Sequence, residues 1–533
     1  MSSSPSPESL KRNQVTITTT ELPGTEHHLP NDTTKTIISR ELAIFQELLS
    51  SKTLESEVLE KGNNQALIEE RQVCQDDDRR NQARFPTVKL ILTQDINPTG
   101  RMFNVEPFTP STRGLCFANI SQAFWYRTTT PLLSKLLGIA KYPPHLQDQY
   151  TFFYNNSVLP GLGPVPSPAN KWTPHLTHNG SPFEPSLAFQ NNKQQVRFTF
   201  EPIGPLAGTL TDRFNQSLPL AFVSSLASSN TCPNLNLEWW YHFTTAFFVS
   251  ETELAAHPSP FVGVKVQPTC YLAFDLPGEE FAPVLKPYLF PHRRALLQGM
   301  DKANLVFEAI RHIPSSVVDM SPALEKVETF LSQHQENSIA QLALQAGRDG
   351  SGKASKAKAL SVEMLSFDCA SSSESRLKIY AKTHDTSFAN VRDIFTLGGQ
   401  LRNSSTLDGL EALERFWKQL LLLREDWNDH ESQSAEFLHF KFEFSPGKLE
   451  PDIKIYVPSW TLGINKTGLT RGLGRYFREL GWDVGNTYRN DMQQVFGGID
   501  EPGRVGYTYT SFTYGENGPA VAMYCTPKFA SPL

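Results

Sequence analysis

Long apolar runs are missing from this sequence. A stretch of about 18 uncharged apolar residues, the length a membrane helix needs, occurs nowhere. The opening "MSSSPSPESLKRNQVTITTTELPG" also lacks an apolar core of signal-peptide length. Both absences lead us to expect a cytoplasmic protein without membrane contact. Paired-cysteine motifs are missing too: Cys74, Cys116, Cys232, Cys270, Cys369 and Cys525 stand apart with no CxxC. That scatter fits reduced thiols and argues against disulfides or a zinc site. The sequons at Asn179 and Asn215 then read as chance matches. There is no excess of positive charge either, the formal net charge being −6. This argues against a nucleic-acid or anionic-membrane binder, so any cluster of cations must serve something local.

What is present is material for a large core, with 39% hydrophobic and 20% charged residues in 533. Residues 1–36, rich in Ser, Thr, Pro and Glu, read as a disordered tail. Residues 37–112 read as a helical or irregular extension, in which Asp76, Asp77 and Asp78 are taken as a solvated helix end. From residue 113 to 533 the texture changes to paired strands separated by helical stretches. The pairs are "SPFEPSLAF" with "VRFTFEPIG", "CYLAFDL" with "VLKPYLFP", "SVEMLSFDC" with "RLKIYAKT", "LHFKFEFS" with "DIKIYVPSW", and "YTYTSFTYG" with "PAVAMYCTP". Turn formers such as "PGEE", "SSSES", "PGKLEP" and "GENG" join them. Amphipathic stretches lie between, including "LEWWYHFTTAFFVSETELAA" and "STLDGLEALERFWKQLLLLREDW". A Gly, Ser and Lys rich insert near 340–360 reads as a mobile loop.

The fold this predicts is α+β: five ααββ-type repeats whose ten antiparallel strands close into a barrel surrounded by helices. Such a barrel explains an oddity in "RLKIY". Arg376, Lys378 and Tyr380 share one face of the strand, and Leu377 and Ile379 the other. With the aliphatic face packed under helices, the charged face lines the lumen. The same register brings in Arg197, Lys286 with Tyr288, and Lys454 with Tyr456. Two unit charges 4 Å apart repel by roughly 4 kcal/mol at an effective dielectric near 20, so this cluster calls for a concentrated anion such as a diphosphate. The phenol rings suit a cation beside it.

The segments "RLKIYAKTHDTSFANVRDIFTLGGQL", "VRFTFEPIGPLAGT", "AFDLPGEEFAPVLKPYLFPHRRAL" and "PDIKIYVP" resemble the fungal aromatic prenyltransferases of the dimethylallyltryptophan synthase type. That resemblance implies the ten-strand barrel and a reaction of secondary metabolism: alkyl transfer from dimethylallyl diphosphate to an indole- or tryptophan-derived acceptor, with no cofactor and no obligatory metal. It implies a diphosphate clamp of Arg197, Lys286, Arg376, Lys378 and Lys454. It implies a cation shield of Tyr288, Tyr380, Tyr456, Tyr509 and Tyr524, and Glu184 as the acceptor of the indole N–H. The Asp-rich DDxxD signature of metal-dependent prenyl synthases is absent. Some indole-alkylating relatives carry a lysine where this chain has Tyr271, a possible acceptor-site residue, and another position often lysine is Pro277. His175 and His178 lie near Glu184 in sequence. Two alternatives stand beside this reading: the same reaction on a phenolic polycycle, such as a xanthone or anthrone, and a non-catalytic barrel that binds an acidic aromatic molecule. A homodimer is compatible with the sequence.

Overall fold

The computed structural model describes residues 118–527, apart from 230, 265, 314–319, 347–359, 372 and 497–505. The tail, the extension with Asp76, Asp77 and Asp78, Cys74 and Cys116 lie outside the described residues.

Ten strands form the sheet: β1 (Phe183–Gln190), β2 (Lys193–Phe200), β3 (Cys270–Asp275), β4 (Val284–Leu289), β5 (Ser361–Phe367), β6 (Leu377–Thr383), β7 (Leu438–Phe444), β8 (Asp452–Pro458), β9 (Tyr507–Gly515) and β10 (Gly518–Cys525). Each pairs antiparallel with its sequence neighbour, and β1 pairs with β10, so the barrel closes and leaves no edge. Local chemistry sets the turns. Asn191 and Asn192, at φ 47 and 63, make the two-residue turn between β1 and β2, a conformation asparagine tolerates well. Pro287 sits inside β4, where the missing N–H weakens the ladder. The β4–β5 pairing is correspondingly short, Tyr288 with Ser366 and Leu289 with Leu365.

Helices lie between the hairpins, and here one expectation is corrected. The hairpins are separated by two or three α-helices among the described residues, not by a uniform pair. The amphipathic stretch "LEWWYHFTTAFFVSETELAA" holds two helices. It breaks into Glu238–Phe247 and Glu251–Ala256, because Ser250 and Glu253 form a capping box that starts the second. Of the expected mobile insert, residues up to 346 belong to the helix Ser321–Ala346, and 347–359 lie outside the described residues.

The core is the shell between barrel and helices. Outward-facing Leu187, Phe198, Phe274, Leu285, Ile379, Phe442, Ile455 and Phe512 are buried in one cluster with helix residues such as Phe243, Val327, Phe416 and Leu473. Leu410 at the edge of that cluster, with Leu413, Trp417 and Leu420, gives the helix Ser404–Leu421 its apolar stripe. This helix meets Lys466–Glu479 at close backbone distance: a Cβ placed on Gly472 would lie 2.2 Å from the Gln419 carbonyl oxygen. Gly472→Ala is therefore expected to destabilise the protein by about 1–3 kcal/mol, the usual cost of overfilling a packed contact. The measurement is a lowered urea midpoint with unchanged slope; an unchanged midpoint would contradict the contact.

Candidate active site

With the aliphatic side of every strand facing the helices, strand alternation leaves the opposite residues in the lumen. Cross-strand partners show which meet. Ser186 faces Arg197, Arg197 faces Asp275, and Ala273 faces Lys286. Lys378 faces Ser366 and Glu443, and Lys441 faces Lys454. The barrel thus gathers all five cations expected from the sequence. It adds a sixth, Lys441, and three carboxylates that sequence reading missed.

Those carboxylates organise the cations. Asp275 takes Arg197 at 3.3 Å and is in direct contact with Lys286. Asp368 takes Arg376 at 2.7 Å and Lys286 at 3.7 Å, and contacts Lys378. Glu443 takes Arg376 at 3.0 Å and contacts Lys441. Lys454 has no ion pair among the described residues; its ammonium lies 5.6 Å from the centroid of the Tyr456 ring. Burial alone would raise the Asp275 carboxyl, but Arg197 and Lys286 hold it down to about 2. Burial likewise opposes, and Lys378, Lys286 and Arg376 override, so Asp368 stays far below the usual carboxylate range. On the other side of the balance, burial pulls the Lys454 ammonium well down, and Lys441 and Arg197 add to the effect. Six basic side chains meet three carboxylates, an excess of three positive charges when all are protonated; burial opposes that state by pulling the Lys378 ammonium to about 7 and Lys441 and Lys454 down as well.

Above this bed runs an unbroken chain of phenols. Ring centroids are 5.6 Å apart for Tyr288 and Tyr380, 5.8 Å for Tyr380 and Tyr456, 5.8 Å for Tyr456 and Tyr524, and 6.5 Å for Tyr524 and Tyr509. Burial raises all five phenol pKa values, so the rings stay neutral. Their faces are the electron-rich surface a cation prefers.

Glu184, two residues along β1 from Ser186, which faces Tyr524, is 6% exposed, and its Oε1 has no hydrogen-bond partner among the described residues. Burial raises its carboxyl from 4.5 to about 8, with Thr508 opposing. Tyr271 faces Tyr288 across β3 and β4 and packs edge-on against Phe290 at 4.9 Å; burial keeps its phenol protonated. Pro277 follows β3, and its carbonyl accepts the Tyr150 hydroxyl at 2.8 Å. Around the mouth, His178 stacks on Trp460 at 5.1 Å, and Trp460 meets Tyr509 edge-on at 4.7 Å. The loop carrying these histidines is fixed by Glu201, which accepts the Trp172 indole N–H at 2.8 Å and the His175 backbone N–H at 2.6 Å.

The missed residues had a signal. "LHFKFEFS" alternates His439, Lys441 and Glu443 against Leu438, Phe440, Phe442 and Phe444, the same pattern that identifies the second strand of each hairpin. Asp275 stands in "AFDL", two positions from the lumen-facing Ala273.

Among the described residues no group of three or more His, Cys, Asp or Glu is placed to hold a metal ion. No helix among them is long and apolar enough to cross a membrane.

Comparison with known proteins places the chain. Residues 121–491 match the family described as tryptophan dimethylallyltransferase. A 7-dimethylallyltryptophan synthase of Aspergillus fumigatus is 29% identical over 76% of this chain and 84% of its own length. An indole diterpene prenyltransferase of Aspergillus flavus is 28% identical over 79% of this chain and 93% of its own. The crystal structure of AnaPT from Neosartorya fischeri is similar with a TM-score of 0.63 and 26% identity, covering 78% of this chain and 95% of AnaPT. NotF, solved in complex with brevianamide F and DMSPP, has a similar fold, with a TM-score of 0.65, 23% identity and coverage of 78% and 97%.

The Glu184 carboxyl generates a pH prediction. Because its pKa is raised in the folded chain, from 4.5 to about 8, folding favours the protonated form. The associated stability is full below 4.5 and is lost as pH climbs through 8. A tenfold change in proton affinity is equivalent to about 1.4 kcal/mol, so the loss is several kcal/mol at most. Glu184→Gln should remove that loss, leaving the variant more stable than the wild type at alkaline pH and nearly equal to it in acid. Thermal melts across this range check it, and an unchanged difference at both ends would contradict the buried carboxyl.

Proposed function

Because this chain belongs to the tryptophan dimethylallyltransferase family, we propose that it is an aromatic prenyltransferase moving a dimethylallyl group from dimethylallyl diphosphate to an indole acceptor. The observation that carries this reading is the make-up of the lumen: a cluster of cations, an unbroken chain of phenols beside it, and a buried carboxyl two residues along β1 from Ser186, which faces Tyr524. A diphosphate monoester carries about three negative charges near neutral pH, its terminal phosphate titrating near 6. That charge balances the excess the six basic side chains carry when all are protonated, and an anion beside them favours their protonation.

In this reading Arg197, Lys286, Arg376, Lys378, Lys441 and Lys454 receive the diphosphate. The allylic C–O bond breaks, and its electron pair leaves with the diphosphate, where fixed charge-assisted donors stabilise the growing anion. The allyl cation faces Tyr288, Tyr380, Tyr456, Tyr509 and Tyr524. Their protonated state matters, since a phenolate would itself be alkylated. A π pair of the indole ring forms the new bond, and the ring then gives up a proton, which the departed diphosphate can take as the base the substrate itself supplies, to recover aromaticity. Glu184 accepts the indole N–H, an interaction that strengthens as the ring becomes cationic. The barrel wall keeps out water that would trap the allyl cation as an alcohol. A carrier of acidic aromatics would have no use for five contiguous phenols. We place the enzyme in the cytoplasm, a reading supported by the free, buried state of Cys232, Cys270, Cys369 and Cys525.

The direct test incubates the protein with dimethylallyl diphosphate and a panel of indoles and polycyclic phenols, with and without EDTA, and reads products by mass spectrometry. Gain of one C5H8 unit on indoles, retained in EDTA, is expected; gain on phenols alone would move the reading to the phenolic acceptor, and no transfer would overturn it. Lys286→Ala and Arg376→Ala should each weaken pyrophosphate binding by about 1.5–3 kcal/mol, the range for a charge-assisted contact. Unchanged affinity in both, by calorimetry, would contradict the clamp.

A further inference from the structure

Glu201 is a buried acid that the chemistry above does not use. It is 1% exposed and follows β2 directly. One carboxylate oxygen accepts the Trp172 indole N–H at 2.8 Å; the other accepts the backbone N–H groups of His175 at 2.6 Å and Leu176 at 3.2 Å. Three donors converging on one buried carboxylate fix the chain that supplies them. The Glu201 N–H donates in turn to the Pro182 carbonyl at 2.8 Å, so both ends of that chain are held at one residue. Trp172 is gripped from a second side, the Arg293 guanidinium lying 5.8 Å from its ring centroid. Arg293 itself donates to the Thr269 hydroxyl and the Gln267 carbonyl, just before β3. Burial raises the Glu201 carboxyl from 4.5 to about 7, with His175, Trp172, Leu176 and Arg293 opposing.

From this anchor residues 172–181 run along the barrel rim. Neighbouring strands are antiparallel and the barrel is closed, so β2, β8 and β10 all finish at the rim where β1 begins. Tyr288, Tyr380 and Tyr456 each follow a lumen cation by two residues, which puts that rim on the phenol side of the cation bed. The segment touches all three strand ends. It meets β2 through Glu201. His178 stacks on Trp460, just after β8, at 5.1 Å. Asn179 accepts the Thr526 hydroxyl at 2.7 Å and donates to the Pro527 carbonyl at 3.2 Å, just after β10. Around the barrel, β1, β10 and β9 lie between β2 and β8, so the segment straps the wall that carries Tyr509 and Tyr524. Trp460 joins it to those phenols, meeting Tyr509 edge-on at 4.7 Å.

We propose that Glu201 is a positioning residue for the transfer: it clamps the strap 172–181 over the Tyr509 and Tyr524 wall, and the clamped strap keeps water from the allyl cation. The proposal rests on the transfer reaction assigned above. With the strap loose, a water oxygen bonds to the allyl carbon in place of the indole ring and loses a proton to the departed diphosphate, giving a C5 allylic alcohol. The test measures that alcohol and prenylated L-tryptophan together in the full-length wild type, Glu201→Gln and Trp172→Phe. It is run in water enriched in heavy oxygen, so that label in the alcohol marks attack on carbon, and at about pH 8, where a carboxyl of pKa about 7 is mainly ionised. In Glu201→Gln the ratio of labelled alcohol to prenylated tryptophan should rise by about tenfold or more, because the neutral amide cannot hold all three donors. Trp172→Phe keeps the ring and deletes one donor, and should raise the ratio by less. The ratio counts events per ionised donor, so a mere loss of folded protein does not move it. An unchanged ratio in both variants, or a rise in Trp172→Phe alone, overturns the proposal; Trp172→Phe decides by itself should Glu201→Gln not fold. If the wild type alkylates no L-tryptophan, labelled alcohol formed from the donor alone decides by the same comparison. If the wild type neither alkylates an indole nor ionises the donor, the transfer reading fails and the proposal falls with it.

Discussion

The structure depends on a charge imbalance that the fold creates and does not itself neutralise. Asp275, Asp368 and Glu443 tie Arg197, Lys286, Arg376, Lys378 and Lys441 into one ion network. Lys441 and Lys454 nevertheless face each other across β7 and β8, a like-charge pairing that destabilises a sheet. Burial depresses the Lys454 and Lys441 ammonium groups, with Lys441 and Arg197 adding to the effect on Lys454 and Arg376 and Lys286 to that on Lys441. A polyanion entering this bed reverses each of those penalties at once. Because the carboxylates already hold the donors in place, little reorganisation is left for the moment when the leaving group acquires its charge.

Such a bed is sustainable only in a closed barrel. Charges on one face of each strand require apolar residues on the other, and those residues require a helical coat. Ile379 between Lys378 and Tyr380, and Ile455 between Lys454 and Tyr456, are both fully buried in the outer core. Closure between β1 and β10 removes the edges through which water would reach the lumen. The phenol chain is a consequence of the same register. Tyr288, Tyr380 and Tyr456 each lie two residues beyond a lumen cation, so one pleat delivers both the anion bed and the aromatic layer above it.

That coupling explains what was legible in the sequence. Alternation is local, so "RLKIY", "LKPY" and "IKIY" display their inward faces to anyone who reads with period two, and the five hairpins follow from turn chemistry. Pairing between strands is not local. Asp368 meets Lys286 only because β4 and β5 are neighbours, and Arg376 meets Glu443 only because β6 and β7 are. Lys441 was visible by the same alternation but sits on a first strand, outside the Lys-x-Tyr pattern of the second strands. The helix break at Ser250 was also written locally, in Ser-x-x-Glu, and was hidden under an apolar spacing that continues across it.

Glu184 shows how the two ends of the lumen differ in kind. The cation bed is charged before substrate arrives, whereas burial keeps the Glu184 carboxyl largely protonated near neutral pH. A protonated carboxyl is a weak partner for an indole N–H. In the proposed reaction the indole becomes cationic and its N–H acidic as the allyl carbon bonds to the ring, which strengthens the hydrogen bond that the N–H donates to a Glu184 carboxyl oxygen. The interaction therefore gains most of its strength during bond formation, which is the condition under which a contact accelerates the reaction instead of merely tightening ground-state binding. A group with an ordinary carboxylate pKa would bind the resting acceptor more firmly and gain less in the transition state. On the proposed role, the stability lost by burying Glu184 is tied to its use, as is common where a polar group is held in an apolar site for chemistry.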